Sequence, residues 1–88
     1  MTNQALPFLL LAMIEDDVED TIRLATRLEV NAFERGFALA AGALGGPGFD
    51  IFVRYDGRWE LDEGCEEEQR EKIERAIKQC TRRGIDVS

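Results

Sequence analysis

Phe49-Asp50-Ile51-Phe52-Val53-Arg54-Tyr55-Asp56-Gly57-Arg58-Trp59 carries the signal that decides the class of this fold. Asp-Gly between two runs of aromatic and β-branched residues marks a two-residue type I′ turn, because both central positions need a positive φ that Asp tolerates and Gly adopts freely. Counting outward pairs Tyr55 with Arg58, Arg54 with Trp59, Val53 with Glu60 and Phe52 with Leu61, so the second strand runs to Asp62. Phe52, Trp59 and Leu61 then share one face of the hairpin. Phe49, Ile51, Val53 and Tyr55 share the other. A strand that is apolar on both faces is covered on both. One face is assigned to the chain's own helices and the other, carrying Ile51 and Val53, to self-association.

Downstream of the hairpin, Gln69, Ile73, Ala76, Ile77 and Cys80 recur at helical spacing. Glu66, Glu67 and Glu68 crowd the first turn and Lys78, Arg82 and Arg83 the last, which suits the helix dipole at both ends. Glu66–Arg70, Glu68–Lys72, Glu71–Arg75 and Glu74–Lys78 stand four residues apart, as helix-surface ion pairs do. Gly84 fits the left-handed position that ends a helix. Ile85-Asp86-Val87 alternates and predicts a short third strand.

Upstream, the chain from Pro7 to Leu44 reads as helix, with Pro7 in the first turn. Unbroken, it would be about 57 Å long, whereas a compact domain of this size has a radius of gyration near 12 Å. A break is therefore expected. Asp16 or Asp17 followed by Glu19 or Asp20 is one capping pattern, and Asn31 followed by Glu34 another. The stripe Val18, Ile22, Ala25, Leu28 slips before resuming as Phe33, Phe37, Ala40, Leu44, which predicts a kink near Asn31. Gly36 and Ala40 allow close approach of a neighbouring backbone, so they and Phe37 join the candidate self-association surface. Gly45-Gly46-Pro47-Gly48 breaks the helix and forms a linker. The expected fold is one α+β domain over residues 1–88: an N-terminal helix or helices, a β-hairpin, and a C-terminal helix packed on the sheet.

Charge narrows the function. Eighteen Asp and Glu face eleven Lys and Arg with no His, a net charge of −7. Histidine catalysis and histidine metal ligation are impossible within the chain, and direct binding of nucleic acid is opposed by like charge. Cys65 and Cys80, on one helix, stand about 22 Å apart, beyond the roughly 7 Å that a disulfide spans. That suits a reducing compartment. The apolar run Ala5–Ile14 is shorter than the roughly 20 residues of a membrane span, and Met1–Gln4 lacks the basic residues of a secretory leader. A cytoplasmic protein without a membrane partner is expected.

Sequence motifs for chemistry are few. Gly42–Gly48 lacks the Lys-Ser or Lys-Thr of a phosphate loop, and the spacing of a calcium loop is absent. Asp16, Glu19 and Asp20, read on one helical face together with Glu71-x-x-Glu74, resemble the carboxylates of the all-helical nucleotide pyrophosphohydrolases. That likeness implies a Mg²⁺-dependent enzyme as a third reading, although the hairpin does not belong to that family. The expectation is no enzyme, no catalytic residues, no metal ligands and no cofactor.

Glu15, Asp16, Asp17, Glu19 and Asp20 place five acids within six residues, with only Arg23 and Arg27 following closely. Such a patch suits a basic groove on a protein partner, where electrostatics steer encounter, and Tyr55 is the candidate aromatic anchor. In size and charge the chain resembles small acidic phage proteins that block defence nucleases, the anti-CRISPR proteins. That resemblance implies an inhibitor acting as a DNA mimic on a nucleic-acid-handling machine. The alternative is a structural or adaptor homo-oligomer, a dimer, whose charge only keeps it soluble.

Overall fold

The structure, a computed structural model, describes residues 6–87. Met1–Gln4, read above for a leader, lies outside the described residues. The elements follow in the order β1 (Phe8–Ile14), β2 (Asp17–Leu24), α1 (Arg27–Ala43), β3 (Phe49–Tyr55), β4 (Arg58–Trp59) and α2 (Glu66–Arg82). The strands form one antiparallel sheet in the order β2-β1-β3-β4. α2 packs on one face and α1 on the other. The class is α+β, as the sequence predicts, with a helix before the hairpin and the C-terminal helix on the sheet.

The expected helix from Pro7 to Leu44 is corrected over its first half. Pro7 precedes a strand, and residues 8–24 form a β-hairpin. β1 is the cause of the misreading. It pairs with a strand on each side and lies beneath a helix on each face, so Phe8 to Met13 are all buried. A strand covered on both faces shows a continuous apolar run with no period-two alternation.

β2 conceals its nature differently. Its register against β1 shifts between Ala12 and Met13, leaving Glu19 as the extra residue of a β-bulge. Val18 therefore faces α2, while Ile22 and Leu24 face α1. Without the bulge these residues would share one face; their spacing imitates a helical stripe instead.

The turn between β1 and β2 is Glu15-Asp16, with φ of 49° and 71°. Both residues sit in the left-handed region that a two-residue hairpin turn needs, without a glycine or asparagine to announce it. The Glu15 amide donates to the Gly48 carbonyl at 2.9 Å, which fixes the turn against the loop before β3.

α1 starts at a capping box that the sequence reading overlooked. The Thr26 hydroxyl accepts from the Glu29 amide, and the Glu29 carboxylate accepts from the Thr26 amide. The proposed caps at Asp16, Asp17 and Asn31 are corrected accordingly, since Asn31 lies inside a continuous helix with no break.

The β3–β4 hairpin keeps its predicted register, but β4 ends at Trp59, short of the expected Asp62. Arg54 pairs with Trp59 and Tyr55 with Arg58, the Glu60 amide donates to the Val53 carbonyl at 2.8 Å, and Asp56 and Gly57 both have positive φ. Leu11, Met13, Val18 and Phe52 meet Ile73, Ala76 and Cys80 of α2, with Trp59 and Leu61 alongside. Phe8, Leu10 and Val53 meet Val30 of α1, with Ile22, Leu24, Phe33 and Ile51 around them.

α2 ends in a Schellman motif. Gly84, at φ 75°, donates to Thr81, and Ile85 donates to Cys80. Ile85-Asp86-Val87 is not a strand; Ile85 and Val87 instead pack against the α2-side core. Among the described residues no helix is long and apolar enough to cross a membrane.

Candidate interaction surfaces

The acids of the first run stand on the β1–β2 turn and on β2, not at a helix start. Glu15, Asp16, Asp17, Glu19 and Asp20 are all exposed. The helical-face geometry behind the carboxylate-enzyme reading is therefore absent: Asp16 is in a turn, and Glu19 and Asp20 are strand residues. Among the described residues no three acids or thiols converge to hold a metal ion.

The second half of α2 also supplies this end of the sheet with cations, which linear reading could not foresee. Asp16 lines a cleft of about 260 Å³ together with Arg75, Lys78, Gln79 and Arg82. At the bulge, Gln79 accepts from the Val18 amide, the Arg83 guanidinium donates to the Val18 carbonyl at 2.7 Å, and Gln79 donates to Asp17 at 3.4 Å. Residues more than sixty positions apart thus satisfy both backbone groups of Val18 beside the bulge and cap the edge of β2 at that residue.

Tyr55 is exposed, as expected, and packs on Phe8 with ring centroids 4.7 Å apart. It lies at the opposite end of β1 from the acidic turn, about 20 Å away along the strand. The structure does not bring Tyr55 and the acids together.

Nearby, Arg27 and Glu60 form a two-pronged ion pair, with one contact at 3.0 Å, and the guanidinium lies 4.8 Å from the Phe8 ring centre. The hydrogen bond from Arg27 holds the Glu60 carboxyl below the usual carboxylate value, and the same contact raises Arg27. The pair fastens the start of α1 to the residue after β4. Lys72 reaches Asp50 on β3 at 3.5 Å, a partner that helical spacing alone, pointing to Glu68, does not reveal.

The self-association candidates separate. Val53 is 5 % exposed beneath α1, and Ile51 packs in the same cluster. The hairpin face assigned to a partner is thus covered by the chain itself, which corrects the role of both side chains. Phe37 points inward in a row with Phe33 and Phe49, at 5.9 and 5.5 Å. Gly36 and Ala40 are exposed, and a Cβ built on Gly36 meets nothing within 4 Å.

They belong to a larger surface. At about 100° per residue, Leu28, Ala32, Leu39 and Ala43 fall on one stripe about 60° wide, away from Val30 and Phe37, with Gly36 at its edge. Leu28 is 80 % exposed, Leu39 72 % and the following Leu44 73 %. From Gly36 to Leu44 there is no polar side chain on any side. A helix segment that is apolar all round belongs in an interior, yet only Ala41 of this segment is buried. Sequence reading singled out the small residues but missed Leu39, because in an all-apolar segment no polar residue marks which side faces water.

Net charge lies elsewhere. Within α1, Arg27 and Arg35 balance Glu29 and Glu34, and within α2 five bases balance five acids. Residues 8–24 carry five acids against Arg23, and residues 44–65 carry five acids against Arg54 and Arg58, which sums to −4 and −3 and accounts for the whole −7. Searches for a matching family model, a similar curated protein and a similar solved structure find none.

Proposed function

We propose that this protein is a non-enzymatic interaction module that docks another protein surface through the outer side of α1. The observation that carries this reading is the exposed apolar side of the Gly36–Leu44 segment, with Leu39 and Leu44 largely bare, because contiguous exposed apolar patches on small domains mark interaction sites. A photo-crosslinking residue placed at Leu39, and separately at Lys78 on α2, tests it in native host cells. Protein adducts at position 39 and none at 78 are expected. The reverse pattern would remove α1 from the function.

A second reading follows from the exposure of Glu15, Asp16, Asp17, Glu19 and Asp20 on one turn and strand. These acids occlude a basic surface of a protein partner, such as a nucleic-acid-handling machine. Asp16 shares its cleft with Arg75, Lys78 and Arg82, which leaves the patch less unbalanced than its sequence. Changing Asp16, Asp17 and Asp20 to Asn and Glu19 to Gln abolishes salt-sensitive capture of a basic partner under this reading, with the melting curve preserved.

A further inference from the structure

We infer that the cleft between the β1–β2 turn and α2 binds the phosphoryl end of a small anion. Arg75, Lys78, Gln79 and Arg82 line it from α2 and Asp16 from the turn, around about 260 Å³. At about 100° per residue the three cations fall within about 60° of arc, so one helix side presents them together. None of the three is ion-paired among the described residues. The pairs that spacing predicts, Glu71–Arg75 and Glu74–Lys78, are not formed, and Asp16 does not come within ion-pairing distance either. Lys78 and Arg82 are like charges four residues apart, which costs a helix stability. The helix dipole accounts for Arg82 in the last turn. It does not account for Arg75, because that attraction fades within one turn. In a chain of eighteen acids and eleven bases, three open cations on one cleft are out of proportion, and a bound anion offsets their repulsion.

The lining selects the ligand. Two guanidiniums present planar forks that match the oxygens of a phosphoryl group, and Lys78 adds a point charge. Gln79 is half-buried, accepts from the Val18 amide and donates to Asp17, so this turn of α2 is held in place without a ligand. No aromatic side chain lines the cleft, so nothing grips a nucleobase. Its volume is below the roughly 300 Å³ at which sites for whole small molecules begin, which suits a phosphoryl group or two. Longer anions are refused. Exposed Glu15 and Asp17 flank Asp16, and exposed Glu71 and Glu74 precede the cations on α2, so a nucleic-acid strand or an acidic peptide running past the cleft meets like charge. Asp16 itself opposes the anion and weakens the site.

The experiment is a nuclear magnetic resonance titration of the isotope-labelled full chain with sodium pyrophosphate, and separately with orthophosphate. Each anion runs from about 0.1 to 20 mM, a range that brackets millimolar affinities, with ionic strength held constant by NaCl. Saturable shifts are expected at Asp16, Arg75, Lys78 and Arg82. Arg75→Gln and Arg82→Gln should each weaken binding about tenfold, the loss of one hydrogen-bonded charge. Asp16→Asn should tighten it, and Arg35→Gln on α1 should leave it unchanged. Melting curves without ligand check that each variant is folded. Tighter binding of pyrophosphate than of orthophosphate assigns two phosphoryl groups to the cleft, and the reverse order assigns one. Shifts that grow without saturating, shifts centred away from the cleft, or no response at the highest concentration overturn the site. An Asp16→Asn variant no tighter than the parent puts the anion outside the cleft and overturns this geometry. A protein adduct at position 78 in the crosslinking experiment overturns the small ligand in favour of an acidic protein segment.

Discussion

α1 and α2 are each 17 residues long, each covers one face of the sheet, and each sums to zero charge. They reach that sum in opposite ways. α2 carries ten charges spread along its length and buries Ile73, Ala76 and Cys80 on one narrow stripe. α1 carries four charges, all before Gly36, buries only Val30 and Ala41, and leaves leucines in water. α2 is finished by its own sheet. α1 has an apolar side left over, and amphipathic patterning explains one helix and not the other.

The largest effect that tests this contrast lies in the core. Ile73→Ala on α2 should cost about 2–5 kcal/mol and Phe52→Ala beneath it about 3–5, read from urea unfolding. Val30→Ala on α1 removes two buried methyl groups and should cost about 2 kcal/mol. If the Val30 variant proves the most destabilised, α1 is more deeply anchored than its packing indicates.

The helix starts differ next. Thr26→Ala removes a full capping box and should cost about 1 kcal/mol. Cys65 stands at the corresponding position of α2 without a side-chain cap, and its ψ of 12° is far from the extended backbone that a capping hydroxyl needs. Cys65→Ser should therefore stay within about 0.5 kcal/mol of the parent in thermal melts. A gain near 1 kcal/mol would show that the start of α2 can be capped after all.

The two hairpin turns extend the comparison. Asp56-Gly57 uses glycine where φ is positive, whereas Glu15-Asp16 holds two ordinary residues there. Asp16→Gly relieves a left-handed residue and loosens the unfolded chain, two opposed effects, and a net stabilisation of up to about 1 kcal/mol is expected. Gly57→Asp should destabilise by a similar amount.

The smallest effect is that of the ties between helix and sheet. Glu60, held low by Arg27, adds stability above the ordinary carboxylate value, and that stability disappears as pH falls through the lowered one. Both side chains are close to half exposed, so screening leaves at most a few tenths of a kcal/mol. The difference in melting temperature between the parent and Glu60→Gln should be small at pH 7 and vanish as pH falls through the lowered Glu60 value. A difference that persists at low pH would point to packing instead of charge.

What was legible in the sequence follows from how local each signal is. The Asp56-Gly57 turn, the α2 stripe and the Gly84 stop are written within a few residues, and each appears where it was read. The first hairpin is not local in this sense. β1 looks uniform because elements from three parts of the chain cover it, and β2 loses its alternation to one inserted residue, Glu19. The acids were visible as a run, but their neighbours Arg75, Lys78 and Arg82 were not, because only the fold brings α2 to them. On α1 the small residues were legible, and the direction of Leu28 and Leu39 had to await the sheet.

The clamp of Gln79 and Arg83 on Val18 has a consequence for synthesis. On the ribosome β1, β2 and β3 emerge long before the last turns of α2, so a nascent chain holds the β2 edge with its backbone groups open until residues 79 and 83 leave the exit tunnel. Until then that edge carries the exposed acids Asp17, Glu19 and Asp20, and like charge opposes its pairing with the same edge of a neighbouring nascent chain. A charge run that contributes little to the finished fold can thus guard the unfinished one.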